Sequence, residues 1–225
     1  MQHQSLGHVM ILGANGMVGS SICRMLERSD VVAHMTKSTR IDVDLLDQHA
    51  TFRYLERLKP DWLVIAAARV GGIYANNVFR RDFLYENLCI EINAIEGAYR
   101  AGIPNVLFLG SSCIYPRNAA QPIQERSLVT ASPEPTNEPY AIAKIAGIKL
   151  VERYQRQFGC DFRVCMPANL YGPNDNYHPL HSHVIPALIR RIHTAKKEGH
   201  ETVSIWGTGG VRREFLYVDD LARAC

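Results

Sequence analysis

The chain has 225 residues, a formal net charge of +3, and a composition of 47% hydrophobic and 21% charged residues. Ordinary glycine and proline usage excludes a fibrous or disordered chain, and the length suffices for a substantial core. No apolar run reaches transmembrane length, Met1–His8 lacks the apolar segment of a secretory signal, and the charge is too weak to point to nucleic acid. The expectation is a soluble, cytoplasmic protein with no membrane or nucleic-acid partner.

His8–Leu12 reads as a buried strand and Gly13–Gly19 as a tight turn, after which Val18, Ile22, Met25 and Leu26 recur at helical spacing. Val31–Met35 is a second predicted strand, Asp47–Leu58 a helix and Trp62–Ala68 a strand. A helix over Phe83–Arg100 stops at Gly102, a strand follows at Val106–Leu109, a helix over Tyr140–Phe158 stops at Gly159, and Phe162–Met166 is a strand. Such alternation implies right-handed crossovers and a Rossmann-type doubly wound parallel sheet, assigned to residues 1–172. From Pro173 the pattern changes to a polar loop (Asn174–His183), a helix (Val184–Lys197) and short strands at Val203–Trp206 and Phe215–Val218. Asp219-Asp220 then opens a helix that the chain end interrupts. Residues 173–225 read as a small, incomplete substrate-binding domain whose segments can interleave with the first, and the end as a cut.

The six cysteines (Cys23, Cys89, Cys113, Cys160, Cys165, Cys225) show no metal-ligand spacing, so they read as unpaired core thiols unless something local activates them. His178, His181 and His183 lie close together, but no carboxylate or thiol joins them at ligand spacing, and no metal is expected. His178 and His181 read as loop histidines.

Gly13, Gly16 and Gly19 form a GxxGxxG turn between the first strand and its helix, the place where backbone N–H groups receive a pyrophosphate. The second strand is followed by Lys37 and Arg40, with no acid before Asp42; cations there favour the 2′-phosphate of NADP. Tyr140 and Lys144 stand one helical turn apart, so the ammonium should lower the phenol pKa. Ser111, at a strand's C-terminal end, can orient the reacting oxygen beside them.

Together these features resemble the extended short-chain dehydrogenase/reductase superfamily. Ala66–Gly72, Gly110–Pro116, Glu134–Lys144, Asn169–Pro173, Ser182–Pro186 and Arg213–Phe215 more closely resemble the GDP-L-fucose synthase family, from Val9 to Asp220. That family uses NADPH to epimerise C3 and C5 of GDP-4-keto-6-deoxy-D-mannose and then reduce C4. The resemblance implies that Tyr140 protonates the C4 oxygen, Lys144 supports it and holds the nicotinamide ribose, and Ser111 hydrogen-bonds the reacting oxygen. Cys113 and His183 match the base and acid positions of the epimerisation. It places NADP(H) against Gly13, Asn15, Gly16, Met17, Val18, Gly19, Arg40, Asp44 and Leu45, and further along against Leu109, Gly110, Ser112, Lys144, Pro167, Asn169, Leu170 and His183.

Arg191, Trp206 and Arg213 are the implied contacts to the GDP-sugar; preferring Arg191 to Arg190 rests on the resemblance alone. Asn15 departs from the pattern, standing where family members can carry an Arg for the 2′-phosphate, which leaves that task to Arg40 with Lys37. The superfamily often forms dimers through its two long helices, so a homodimer is expected. A 4,6-dehydratase would need an acid beside the strand-end hydroxyl, and Ser112-Cys113-Ile114 offers none; a simple 4-epimerase would not require Cys113 with His183. Another nucleotide-sugar epimerase/reductase of the same superfamily remains an alternative, as does a truncated non-catalytic NADP-binding module, because family members continue beyond Cys225; weak or absent activity is expected of this chain alone.

Overall fold

The computed structural model describes residues 5–225, so part of the leader reading over Met1–His8 lies outside the described residues. The chain runs β1 (His8–Leu12), α1 (Met17–Glu27), β2 (His34–Ser38), α2 (Gln48–Leu58), β3 (Trp62–Ile65), α3 (Ile73–Val78) and α4 (Arg80–Ala101). It continues with β4 (Asn105–Leu109), α5 (Glu138–Phe158), β5 (Asp161–Cys165), β6 (Asn169–Tyr171), α6 (Val184–Glu198), β7 (Phe215–Tyr217) and α7 (Val218–Ala224). The first five strands form one parallel sheet in the order β2-β1-β3-β4-β5, and β6 and β7 form a separate parallel pair.

Both faces of the sheet are covered, which is why β1 is apolar without alternation. Met10 and Leu12 pack with Phe108, Ile148 and Phe162 on one side, and Val9 and Ile11 with Ile22 and Cys23 on the other. The predicted stops hold: α4 and α5 end at Gly102 and Gly159, both in the left-handed region. Their starts lie earlier, at Arg80 and Glu138, and Asp47, read as the first residue of α2, instead caps it by accepting from the Ala50 N–H at 2.9 Å. Strand order reverses between β1 and β3, where doubly wound sheets bind ligands beyond their C-terminal ends.

Several expectations need correction. β2 begins at His34 rather than Val31, because the register pairs His8 with His34, while Val31 and Ala33 bond to the segment before β1. A polar edge strand of this kind follows its ladder, not its apolarity. Val203–Trp206 forms no strand: it pairs with none among the described residues, and Ile205 and Trp206 are exposed. α3 and β6 were not anticipated; β6 is defined by pairing with β7, 46 residues later (Asn169 with Phe215).

α7 seats on α1, where the Ser21 hydroxyl donates to the Val218 carbonyl and to Asp219, and Arg24 pairs with Asp219 at 2.7 Å. Ala222 enters the same apolar cluster as Val9 and Ile11. The last helix thus contributes to the main sheet's core.

Candidate active site

The glycine turn is shaped by close backbone packing. Gly13 adopts φ +84°, and a Cβ there would lie 2.7 Å from the Ala67 backbone; a Cβ at Gly19 would overlap the Gly13 carbonyl. The N–H groups of Gly13 and Ala14 donate to the Ser38 carbonyl, binding the turn to the end of β2. The first turn of α1, with Met17 and Val18, holds no acidic side chain, leaving its N–H groups open to an anion. Asn15 is exposed on the turn.

Beside the turn lies a cavity of about 370 Å³ lined by Gly13, Gly16, Ser38, Thr39, Arg40, Asp44, Leu45 and Ala66–Arg69, among others. Arg40 is exposed at its rim, 3.9 Å from Asp44. Lys37 is not part of this wall: it points to α1 and pairs with Glu27. Asp42 folds back to accept from the Thr39 N–H and hydroxyl, both at 2.8 Å, and these bonds lower its pKa.

Arg69, which sequence reasoning did not single out, reaches Glu86 at 2.6 Å and Asp82 at 3.5 Å. Asn87 clamps its backbone from both sides, at 2.8 and 3.0 Å.

Deeper along the same sheet edge, β4 ends at Leu109, and the Gly110 N–H donates to the Cys165 carbonyl at 2.9 Å. Ser111 then opens a single 3-10 turn, Ser112–Ile114, which carries Cys113. Tyr140 is the third residue of α5, with Phe83 edge-on at 6.5 Å. Lys144, one turn on, is 2% exposed. Its ammonium donates to the Leu109 carbonyl at 3.0 Å and lies 3.1 Å from Glu91. It stands 4.6 Å from the Phe108 ring and 5.8 Å from the Tyr140 ring. Ser111, Cys113, Tyr140 and Lys144 are therefore one cluster.

The cluster's electrostatics differ from expectation. Burial holds the Tyr140 phenol well above its usual pKa, with Cys113 and Glu91 adding to the rise and the Ser111 hydroxyl opposing by hydrogen bonding. Lys144 is not among the groups that shift it, and Glu91 faces its ammonium at 3.1 Å. Burial likewise raises the Cys113 thiol, against the pull of Ser111 and Lys144.

His183 is the N-cap of α6 and is exposed, although the protein packed around it lowers its pKa; Asp175 is the charge opposing that shift. The segment before it is tightly held. The Gly72 N–H donates to the His181 carbonyl at 2.9 Å, and His178 Nδ1 accepts from the Leu180 and His181 N–H groups, both at 3.2 Å. His178 and His181 stack at 4.1 Å, so these two histidines are structural parts of the loop. Gly71 packs under Phe83, which touches Tyr140, so the loop lies on Tyr140's side of the site.

A second cavity, about 640 Å³, is lined by Arg190, Arg191, His200, Ser204 and Trp206, among others. Arg191 stacks on the Trp206 indole at 5.2 Å, while Arg190 is engaged by the Tyr177 carbonyl at 2.7 Å. Arg213 lies outside this wall and donates to the Arg212 carbonyl. Pro167 is buried after β5; Asn169 donates to the Glu214 carbonyl at 2.9 Å and Leu170 pairs with Leu216, so both serve the β6–β7 junction.

Glu91 is the residue of the cluster that the sequence reading missed. Its signal was available: Phe83, Asn87, Glu91, Ile95 and Ala98 share one buried helix face, and two of the five are polar.

The model of the NAD dependent epimerase/dehydratase family matches residues 9–225. The chain is 53% identical over 217 residues to GDP-L-fucose synthase of Escherichia coli (strain K12), covering 96% of this chain and 67% of that one. It is 52% identical to GDP-L-fucose synthase 1 of Arabidopsis thaliana with the same coverage, so it spans about two thirds of these relatives' length. Among solved structures, a GDP-mannoheptose C4 reductase from Campylobacter jejuni with NADP bound superposes with a TM-score of 0.88 at 32% identity. That match covers 100% of this chain and 74% of the other.

Proposed function

This chain belongs to the NAD dependent epimerase/dehydratase family, and we propose that it carries the NADPH site and reaction centre of a GDP-L-fucose synthase. On this reading GDP-4-keto-6-deoxy-D-mannose is epimerised at C3 and C5 and then reduced at C4. The observation that carries the reading is the joining of half-buried Ser111, Cys113 and Tyr140 with buried Lys144 in one cluster, at the same C-terminal edge of the sheet as the glycine-walled cavity.

The cavity fits a dinucleotide. Gly13 and Gly19 leave backbone surface where a side chain would intrude, α1 offers free N–H groups, and Arg40 supplies a cation at the rim. Gly13–Gly19 would hold the pyrophosphate, Arg40 the 2′-phosphate, Asp44 and Leu45 the adenine side, and Lys144 the nicotinamide ribose. When bound there, NADPH would supply the hydride for the reduction at C4.

The chain's own residues manage protons. A C4 ketone acidifies the hydrogens at C3 and C5, and inversion needs a base on one face and an acid on the other. Cys113 and His183 divide these roles, each from a rigid short segment. Tyr140, protonated at neutral pH, gives its hydroxyl proton to the C4 oxygen as hydride arrives, and Ser111 aligns that oxygen. Arg191 and Trp206 form a stacked cation and indole suited to the diphosphate and an apolar face of the nucleotide-sugar.

Tyr85, Ile92 and Tyr99 of α4, with Ile142 and Phe158 of α5, leave exposed apolar surface on adjacent helices; this supports a homodimer. Among the described residues no helix is long and apolar enough to cross a membrane, and we infer a cytoplasmic site of action.

The test is NADPH consumption by the purified chain with GDP-4-keto-6-deoxy-D-mannose, with identification of the product sugar. GDP-L-fucose supports the reading. NADPH binding without turnover would restrict this chain to cofactor binding, and failure to bind NADPH would overturn the site assignment.

A further inference from the structure

Glu91 sits on the inward face of α4, 1% exposed, with its Oε1 3.1 Å from Lys144 Nζ. Apart from that ammonium, neither carboxylate oxygen has a partner among the described residues. The packing leaves room for the carboxylate: a Cβ at Gly147 would lie 2.7 Å from Glu91 Oε2. A buried ion pair is a weak source of stability, since desolvating each charge costs several kcal/mol. Nothing in the proton transfers derived above uses a carboxylate here.

The chemistry does need its charge. An isolated ammonium beside Tyr140 would favour phenolate, the form suited to accepting a proton from an alcohol. Reduction of a ketone needs the opposite form, a phenol that gives its proton up. Burial raises the Glu91 carboxyl and the Lys144 charge opposes that rise; a carboxylate held by the ammonium offsets its field and leaves one N–H, beyond those directed at Leu109 and Glu91, for a hydroxyl.

We propose that Glu91 is a positioning residue of the proton-transfer site, holding the Lys144 ammonium at the floor and offsetting its charge so that Tyr140 meets the substrate protonated. This inference rests on the epimerase-reductase reading for its purpose, but its electrostatic content can be tested without turnover. Cys113 lies in the same field and serves as the probe.

Peptide-resolved alkylation of Cys113 by iodoacetamide, followed from about pH 6 to about pH 10, reads the thiol's titration midpoint in the full chain. In Glu91→Gln the midpoint is expected to fall by about half a unit or more, roughly a threefold gain in thiolate at fixed pH. NADPH affinity should stay within about threefold, since the ammonium remains. Glu91→Asp retains the charge and should keep the wild-type midpoint.

An unchanged midpoint in a folded Gln variant overturns the proposal. So does a fall in the Asp variant as large as the one expected for Gln, which remains readable if the Gln variant does not fold. Where turnover is measured, the alkaline limb of the reduction should move down with the Cys113 midpoint, whereas a purely structural role would lower rates equally at every pH. A wild-type chain that binds NADPH without turnover would count against the functional reading and leave the Cys113 titration to decide Glu91.

Discussion

The Gly72 N–H donates to the His181 carbonyl at 2.9 Å, and this bond ties the loop after β3 to the segment that presents His183. A Cβ at Gly72 would overlap the Ser182 carbonyl oxygen, so Gly72→Ala must push the two loops apart. The expected outcome is a loss of about tenfold or more in solvent deuterium exchange at C3 and C5, with NADPH binding retained. Exchange followed by NMR, beside a fluorescence titration of NADPH, checks it.

Arg40 lines the cavity beside the glycine turn, whereas Lys37 is engaged by Glu27. Arg40→Ala should weaken NADPH binding by about tenfold, a charge-assisted contact of about 1.5 kcal/mol, and leave NADH binding unchanged. Lys37→Ala should leave the binding of both nucleotides unchanged. Calorimetric titrations of both nucleotides against both variants separate the two cations.

Burial keeps Tyr140 protonated well past neutrality. Tyr140→Phe should therefore lower the reduction rate by about 100-fold or more at neutral pH while sparing C3 and C5 exchange. Cys113→Ser should do the reverse, abolishing exchange and leaving NADPH binding intact. Single-turnover reduction and exchange, measured on the same preparations, distinguish the roles.

Asp219 ties α7 to α1 through Ser21 and Arg24, and these bonds lower its pKa below the unfolded value. A depressed carboxylate pKa means that the stabilisation is fully present above about pH 4 and is lost as pH falls through the folded-state value. Asp219→Asn should cost roughly 1 kcal/mol at pH 7, since the group is partly solvated, and little at about pH 3. Urea denaturation at the two pH values is the check.

Much of this was legible in the chain. Alternating strands and helices, Gly102 and Gly159 as helix stops and the glycine turn are local features, set by backbone sterics and by which residues can satisfy terminal backbone groups. The one-turn spacing of Tyr140 and Lys144 is equally local. His34–Ser38 was misplaced because an edge strand is defined by its ladder to β1, and Val203–Trp206 because apolarity alone supplies no pairing partner.

What the sequence by itself determined was the doubly wound fold, the glycine turn and the one-turn pairing of Tyr140 with Lys144, since these depend on spacing within single elements; Cys113 and His183 entered as candidates through the family resemblance. Only the tertiary structure decided their states. It set Glu91 of α4 against Lys144 of α5, turned Lys37 toward Glu27, bonded His181 to Gly72 and seated α7 on α1. Those relationships join residues far apart in the chain, and a group's charge depends on what folding buries beside it and how much water it removes.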